Sequence, residues 1–160
     1  FVMKTQNLKF GESVKYLANL AGMRPYTFSK EDEIREEKWN KYKLIYAKYV
    51  EFYHKDLFKN PLAKDAKDYL KNRSLTIDEV KKFKIGYVSS DDQFKEEIFK
   101  DFSESEIKDT GLFYFDEKKN VYLERFRGRL IFPIKNISGQ PIALGGRIIE
   151  NLDYLAKYIN

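Results

Sequence analysis

Arginine is the residue type best placed to do chemistry in this sequence. Between Arg125 and Ile149 lie Arg125, Arg127, Arg129, Lys135 and Arg147, with no Asp or Glu among them. The chain holds 30 Lys and Arg against 25 Asp and Glu, so these five cations equal its formal net charge of +5 and the remainder balances. Guanidinium forks match the oxygens of phosphate. Gly145 and Gly146, just ahead of Arg147, let a ligand or a backbone come close with no Cβ in the way. Arg125, Arg127 and Arg129 alternate at spacing two, which on an extended backbone projects the three guanidiniums from one face and Phe126 from the other. This comb offers phosphate binding rather than bond making. Solvated strand arginines and a glycine bulge account for the same spacing.

Such a comb needs a sheet to hold it. Residues 130–135 and 141–148 are rich in Ile, Leu and Phe and flank residues 136–140, whose Ser138-Gly139 pair suits a tight reversal, so an antiparallel hairpin is expected. The run RFRGRLIFPI, the turn, PIALGGRII and then KYIN resemble the core signature of bacterial replicative primases of the DnaG family. That pattern runs RFR-x-R-[IL]-x-FPI, G-x-[PV]-I-x-[FL]-GGR and KY-[LI]-N. Upstream, YLKNRSLTIDEVKKFKIGYV resembles a further block of the same family, and the ordered blocks span about half the chain. Ser74 stands where the family usually has Gly, Leu144 where Phe is frequent, and Ala156 where Pro usually precedes the lysine.

Composition sets outer bounds. With 160 residues, 42% hydrophobic and 34% charged, the chain is expected to fold as a globule, and no apolar run approaches the ~20 residues that span a bilayer. It contains no cysteine and one histidine, His54, so no thiolate zinc site is expected within it. A cytoplasmic, monomeric protein is the default expectation. The chain opens without Met, which suggests a fragment. Twelve Tyr and 13 Phe could stack on bases, but filling a core accounts for most of them.

Taken in order, residues 1–20 read as helical, with Val14, Leu17, Ala18 and Ala21 at spacing three and four, and Gly22 and Arg24-Pro25 close that stretch. Residues 30–60 read as one long helix that Ser29 can cap, with Glu31, Asp32 and Glu33 at its positive end. Its stripe of Tyr42, Ile45, Tyr46, Tyr49, Val50, Tyr53 and Leu57 is a packing face, with a base-stacking ladder as the other reading. His54 beside it is expected to be exposed or half-buried. Residues 61–72 form a second helix, Thr76 and Glu79 a capping box for a third, and residues 84–88 a short strand. Arg73 falls at the corner between helices, where an ion pair with Asp68 competes with a ligand contact. Residues 90–102 and 104–110 read as amphipathic helices. A hairpin of residues 112–115 and 121–123 feeds the comb, with Asp116 and Glu117 solvated in its turn. The fold class is therefore α+β, with a helical N-terminal segment followed by a small mixed or antiparallel sheet with flanking helices.

The resemblance implies more than the spacing does. It makes residues 1–25 the end of a zinc-binding domain and residues 26–160 the N-terminal subdomain of a primase RNA polymerase domain, with the metal-holding carboxylates in a TOPRIM fold that follows KYIN. No catalytic residue or metal ligand is expected in this chain. Arg73, Arg147 and Lys157 are implied to meet template or nucleotide, with Arg127 and Arg129 as helpers and Tyr158 and Asn160 in the KYIN block. The whole protein would synthesise RNA primers on single-stranded DNA from ribonucleoside triphosphates with Mg2+ or Mn2+, carry Zn2+, and work with a replicative helicase and single-strand-binding protein. A stand-alone single-strand-binding module and a plain protein-interaction domain are the other classes open to these residues.

Overall fold

A computed structural model describes residues 1–24, 29–89, 93–150 and 154–160. Contacts divide the chain into two compact units, Phe1–Trp39 and Asn40–Asn160. In the first, α1 (Val2–Thr5) and α2 (Phe10–Leu20) are followed by the start of α3 (Lys30–Lys59). The backbone N–H of Lys9 donates to Glu12 at the head of α2. Ser29 and Asp32 cap α3 reciprocally, since the Asp32 N–H donates to Ser29 Oγ at 3.1 Å and the Ser29 N–H to Asp32 Oδ2 at 3.1 Å. α2 ends ahead of Gly22, at φ 64°, as expected, while Pro25 and the expected helix start at Ser90 lie outside the described residues.

In the second unit the rest of α3 buries one face, and Ile45, Tyr49, Val50, Tyr53, His54 and Leu57 line it. Tyr49 packs edge-on against Tyr53 and Phe94 with ring centroids 4.8 and 5.0 Å apart. Tyr49 and Tyr53 of the stripe are therefore core, with Tyr42 and Tyr46 half-buried at its edge. His54, expected nearer the surface, is buried at 7% exposure, and its Nδ1 lies 2.7 Å from the Ile85 carbonyl. That partner comes from a distant part of the chain, which local sequence cannot reveal.

Asn60 caps a turn of 3-10 helix (Pro61–Ala63) that leads into α4 (Lys64–Asn72). After α4 the N–H of Leu75 donates to the Leu70 carbonyl and that of Ser74 to the Lys71 carbonyl, the paired bonds of a Schellman motif. The motif sets Ser74 at φ 60°, a left-handed conformation costly for an L side chain. Ser74→Gly should raise stability by about 0.5–1 kcal/mol, part of the relief being offset by the greater freedom of glycine when unfolded. Urea unfolding of the two proteins measures it.

The capping box of Thr76 and Glu79 opens α5 (Ile77–Lys82), and β1 (Gly86–Tyr87) follows. Then come α6 (Gln93–Asp101), α7 (Glu104–Asp109), a hairpin of β2 (Phe113–Asp116) and β3 (Val121–Glu124), β4 (Arg129–Lys135), β5 (Pro141–Ile148) and β6 (Tyr158–Ile159). Asp116 Oδ1 accepts the N–H groups of Lys118 and Lys119 in the β2–β3 turn. β1, β4, β5 and β6 form one sheet in that order, with β2 and β3 a separate ribbon and every pairing antiparallel. The α+β class is as expected. The β4–β5 turn closes where Asn136 Oδ1 accepts the N–H groups of Ser138 and Gln140.

Glu106 ties α7 to α3. Lys41 Nζ lies 2.6 Å from its carboxylate, and the Ser103 N–H donates to it as well. These contacts hold the Glu106 pKa down to about 2, with Lys41 the main cause. A carboxylate whose folded pKa is depressed adds stability that is present above its unfolded pKa and is lost as pH falls through the folded one. Thermal unfolding should therefore show a loss between about pH 4.5 and pH 2 that is smaller in Glu106→Gln.

Candidate nucleic-acid interface

Arg147 sits on β5 directly across from Tyr158 on β6, so the guanidinium and the phenol ring are a cross-strand pair with 5.5 Å between the Arg147 Cζ and the ring centre. The same guanidinium also lies over the ring of Tyr69 from α4, at 4.6 Å. Arg147 Nε is buried and makes no hydrogen bond among the described residues. Arg73 is the C-terminal cap of α4, one helical turn beyond Tyr69. Its Nε donates to the Tyr69 hydroxyl at 3.0 Å and its Cζ lies 5.4 Å from the same ring. Arg73 thus turns to Tyr69 rather than to Asp68. The sequence marks Arg73 and Arg147, and the fold brings them together around a tyrosine it did not mark.

The comb does not form. Residues 125–128 are a turn rather than strand, with Gly128 at φ 72° reversing the chain between β3 and β4. Spacing two therefore sets no common face for the arginines. Phe126 does enter the core, at 3% exposure. Arg125 and Arg127 are exposed, whereas Arg129 is buried at 5% exposure. Arg129 Nη1 donates to the Lys157 carbonyl at 3.4 Å, and Arg125 Nη2 to the Asn160 carbonyl at 3.2 Å. Burial lowers the Arg129 pKa from its usual value. Two of the three comb residues thus hold the backbone of the KYIN segment, and Ile148 N–H donates to the Lys157 carbonyl as well.

With that segment docked, the Lys157 side chain, Tyr158 and Asn160 are exposed. Phe132, Gly145, Gly146, Tyr158, Ile159 and Asn160 line a cleft of about 350 Å³ beside the paired glycines. Tyr69 lies on a second cleft of about 310 Å³, shared with Asp65, Asp68, Asn72, Ile149 and Glu150. Among the described residues no group of three or more His, Cys, Asp or Glu is placed to hold a metal ion. No helix of the described residues is long and apolar enough to cross a membrane.

A profile of the family described as DNA primase catalytic core, N-terminal domain, matches residues 52–160. The DNA primase of Neisseria meningitidis is 34% identical over the whole chain, and that of Thermotoga maritima 31%. In both comparisons the chain spans 27% of the relative's length. Among solved structures, the zinc-binding and RNA polymerase domains of Aquifex aeolicus primase match 99% of this chain and 37% of that one, with TM-score 0.65 and 26% identity. The DnaG primase catalytic domain bound to ssDNA matches 78% of this chain and 40% of that one, with TM-score 0.68 and 26% identity. On these grounds the chain belongs to the DNA primase catalytic core family and carries that family's N-terminal domain.

Proposed function

We propose that this chain is the template- and nucleotide-holding part of a bacterial DNA primase, a DNA-directed RNA polymerase that makes short RNA primers. The observation that carries this reading is the cluster of Arg73 and Arg147 around Tyr69, next to the exposed Lys157 and Tyr158. It offers two guanidiniums and an ammonium to phosphate, and an aromatic ring to a base. A relative bound to ssDNA shares the fold, which supports single-stranded DNA as the ligand. Arg147, Lys157 and Arg73 are the proposed phosphate contacts, with Arg127 at the rim and Tyr158 and Asn160 beside the glycine cleft. Arg129, buried against the Lys157 carbonyl, acts by holding that segment in place.

The described residues do not fit a metal site, so the proposed chemistry of this chain is binding and orientation. The match to a primase with zinc-binding and RNA polymerase domains supports reading residues 1–25 as the end of a zinc-binding domain and residues 26–160 as the start of the polymerase domain. The whole protein would then take Zn2+ and Mg2+ or Mn2+ on other segments, and meet ribonucleoside triphosphates, the RNA primer, the replicative helicase and single-strand-binding protein in the cytoplasm. The 160-residue chain by itself should make no oligoribonucleotides on a DNA template even with metal and nucleotides. Template-dependent synthesis by the purified chain would refute the assignment of the carboxylates to a following fold.

Binding is tested by salt. Each phosphate neutralised on a single strand steepens the dependence of log affinity on log salt by ~0.7. Replacing Arg147 and Lys157 together with Ala should flatten the slope by about 1.4 units, while Lys64→Ala with Lys67→Ala should leave it near that of the parent. Equal slopes for the two double variants would remove the phosphate reading.

A further inference from the structure

Tyr69 is uncharged, yet both central arginines rest on it: both guanidiniums lie near its ring, and Arg73 alone also bonds its hydroxyl. The ring face lies under Arg147 at 4.6 Å, and the hydroxyl accepts the Arg73 Nε–H at 3.0 Å. Two guanidiniums brought near one another repel, and long flexible side chains relieve that by swinging apart into water. A carboxylate between them would hold them together but would cancel part of the charge that a phosphate needs. A phenol holds both without cancelling either, through the electron-rich ring face and one lone pair.

We propose that Tyr69 is a positioning residue that fixes Arg73 and Arg147 at a set separation for a phosphodiester or polyphosphate while adding no negative charge of its own. This rests on reading Arg73 and Arg147 as phosphate contacts. Tyr69 is well placed for the task, because its ring packs on the core cluster of Ala63, Ala66, Leu70 and Val80 and so cannot follow the arginines outward. Among the described residues the buried Arg147 Nε has no hydrogen-bond partner, and a buried polar atom without one gains on meeting an anion. Tyr158 also lies near Arg147, at 5.5 Å, but is 63% exposed, so the fixed wall is Tyr69.

The two parts of Tyr69 can be removed separately. Tyr69→Phe keeps the ring beneath Arg147 and takes away only the acceptor for Arg73, whereas Tyr69→Leu removes both. Binding of a fluorescent oligothymidylate to the 160-residue chain at low salt should weaken about twofold in Tyr69→Phe and about fivefold in Tyr69→Leu. In double-mutant cycles, Tyr69→Phe should couple to Arg73→Ala and be additive with Arg147→Ala, while Tyr69→Leu should couple to both. A purely structural tyrosine would move the melting temperature of Tyr69→Leu and give additive cycles throughout. If Arg73→Ala and Arg147→Ala weaken binding but both cycles are additive, Tyr69 does not position them and the proposal is wrong while the phosphate reading stands. If neither arginine variant changes binding, the phosphate reading itself fails and takes the proposal with it.

Discussion

Gly86→Ala should destabilise the chain by about 3 kcal/mol, the upper end of what an overfilled core costs, and lower its melting temperature by about 10 °C. A Cβ built at Gly86 falls 2.9 Å from the Tyr53 carbonyl carbon and 3.0 Å from both the Tyr53 oxygen and the His54 nitrogen. Those atoms are backbone in the middle of α3, so no side chain can rotate to make room. Gly86 pairs with Ile131 and Tyr87 with Leu130, which makes β1 the strand that seats the sheet on the helix. Pushing β1 away would also shift the β4–β5 pair that carries Arg147, and single-strand binding should weaken together with stability. Thermal and urea unfolding followed by circular dichroism decide it. A variant as stable as its parent would mean that the helix and sheet can part without cost.

Tyr53→Phe is expected to cost about 2 kcal/mol, although it removes a single oxygen. The Tyr53 hydroxyl donates to Glu124 Oε1 at 2.5 Å, where the tyrosine is fully buried and the glutamate is 3% exposed. Taking a donor away from a buried carboxylate costs more than losing a bond between neutral groups. Burial pushes the neighbouring Tyr49 hydroxyl well above the ordinary tyrosine pKa, and the charge of Glu124 pushes it further. Tyr46→Phe supplies the comparison, because that half-buried hydroxyl donates to the Thr110 carbonyl at 2.9 Å, a neutral partner, and should cost about 1 kcal/mol. Equal losses for the two variants would show that the bond to the buried carboxylate is worth no more than one to a neutral carbonyl. Glu124 ends β3 immediately before the Arg125 turn, so this bond also sets where the arginine segment begins.

The elements whose signals are local were legible in the sequence. The β4–β5 hairpin was expected from residue 130 to 148 and spans Arg129–Lys135 and Pro141–Ile148, because its alternation and its turn residues are adjacent in the chain. The Ser29 and Thr76 caps lie three residues from their partners and were likewise readable. The comb failed because spacing two has meaning only on extended backbone. Gly128 was the available warning, since a glycine between two arginines marks a place for a turn. His54 and Arg129 were misplaced for a different reason, as their partners, the carbonyls of Ile85 and Lys157, are 31 and 28 residues away. In the candidate site the cations could be picked out by charge, whereas Tyr69 is recognisable only by its place one helical turn before Arg73. A search for charge passes over the residue that gathers it.

The last strand has a kinetic consequence. Among the described residues β6 pairs with β5 through two residues, Ile159 on Gly146 and Tyr158 on Arg147, and is also held through the carbonyls of Lys157 and Asn160 and by Ile159 against the core. So short a ladder opens at far lower free energy than the core strands, and its amides should exchange with deuterium long before those of β4. Whenever β6 peels back, Tyr158 leaves Arg147 and the cleft beside the paired glycines loses a wall. The apparent affinity of this face for a single strand is then its intrinsic affinity multiplied by the fraction of time β6 lies docked. Arg125 and Arg129 would set how often the grip is ready to close, whether or not they ever meet a phosphate.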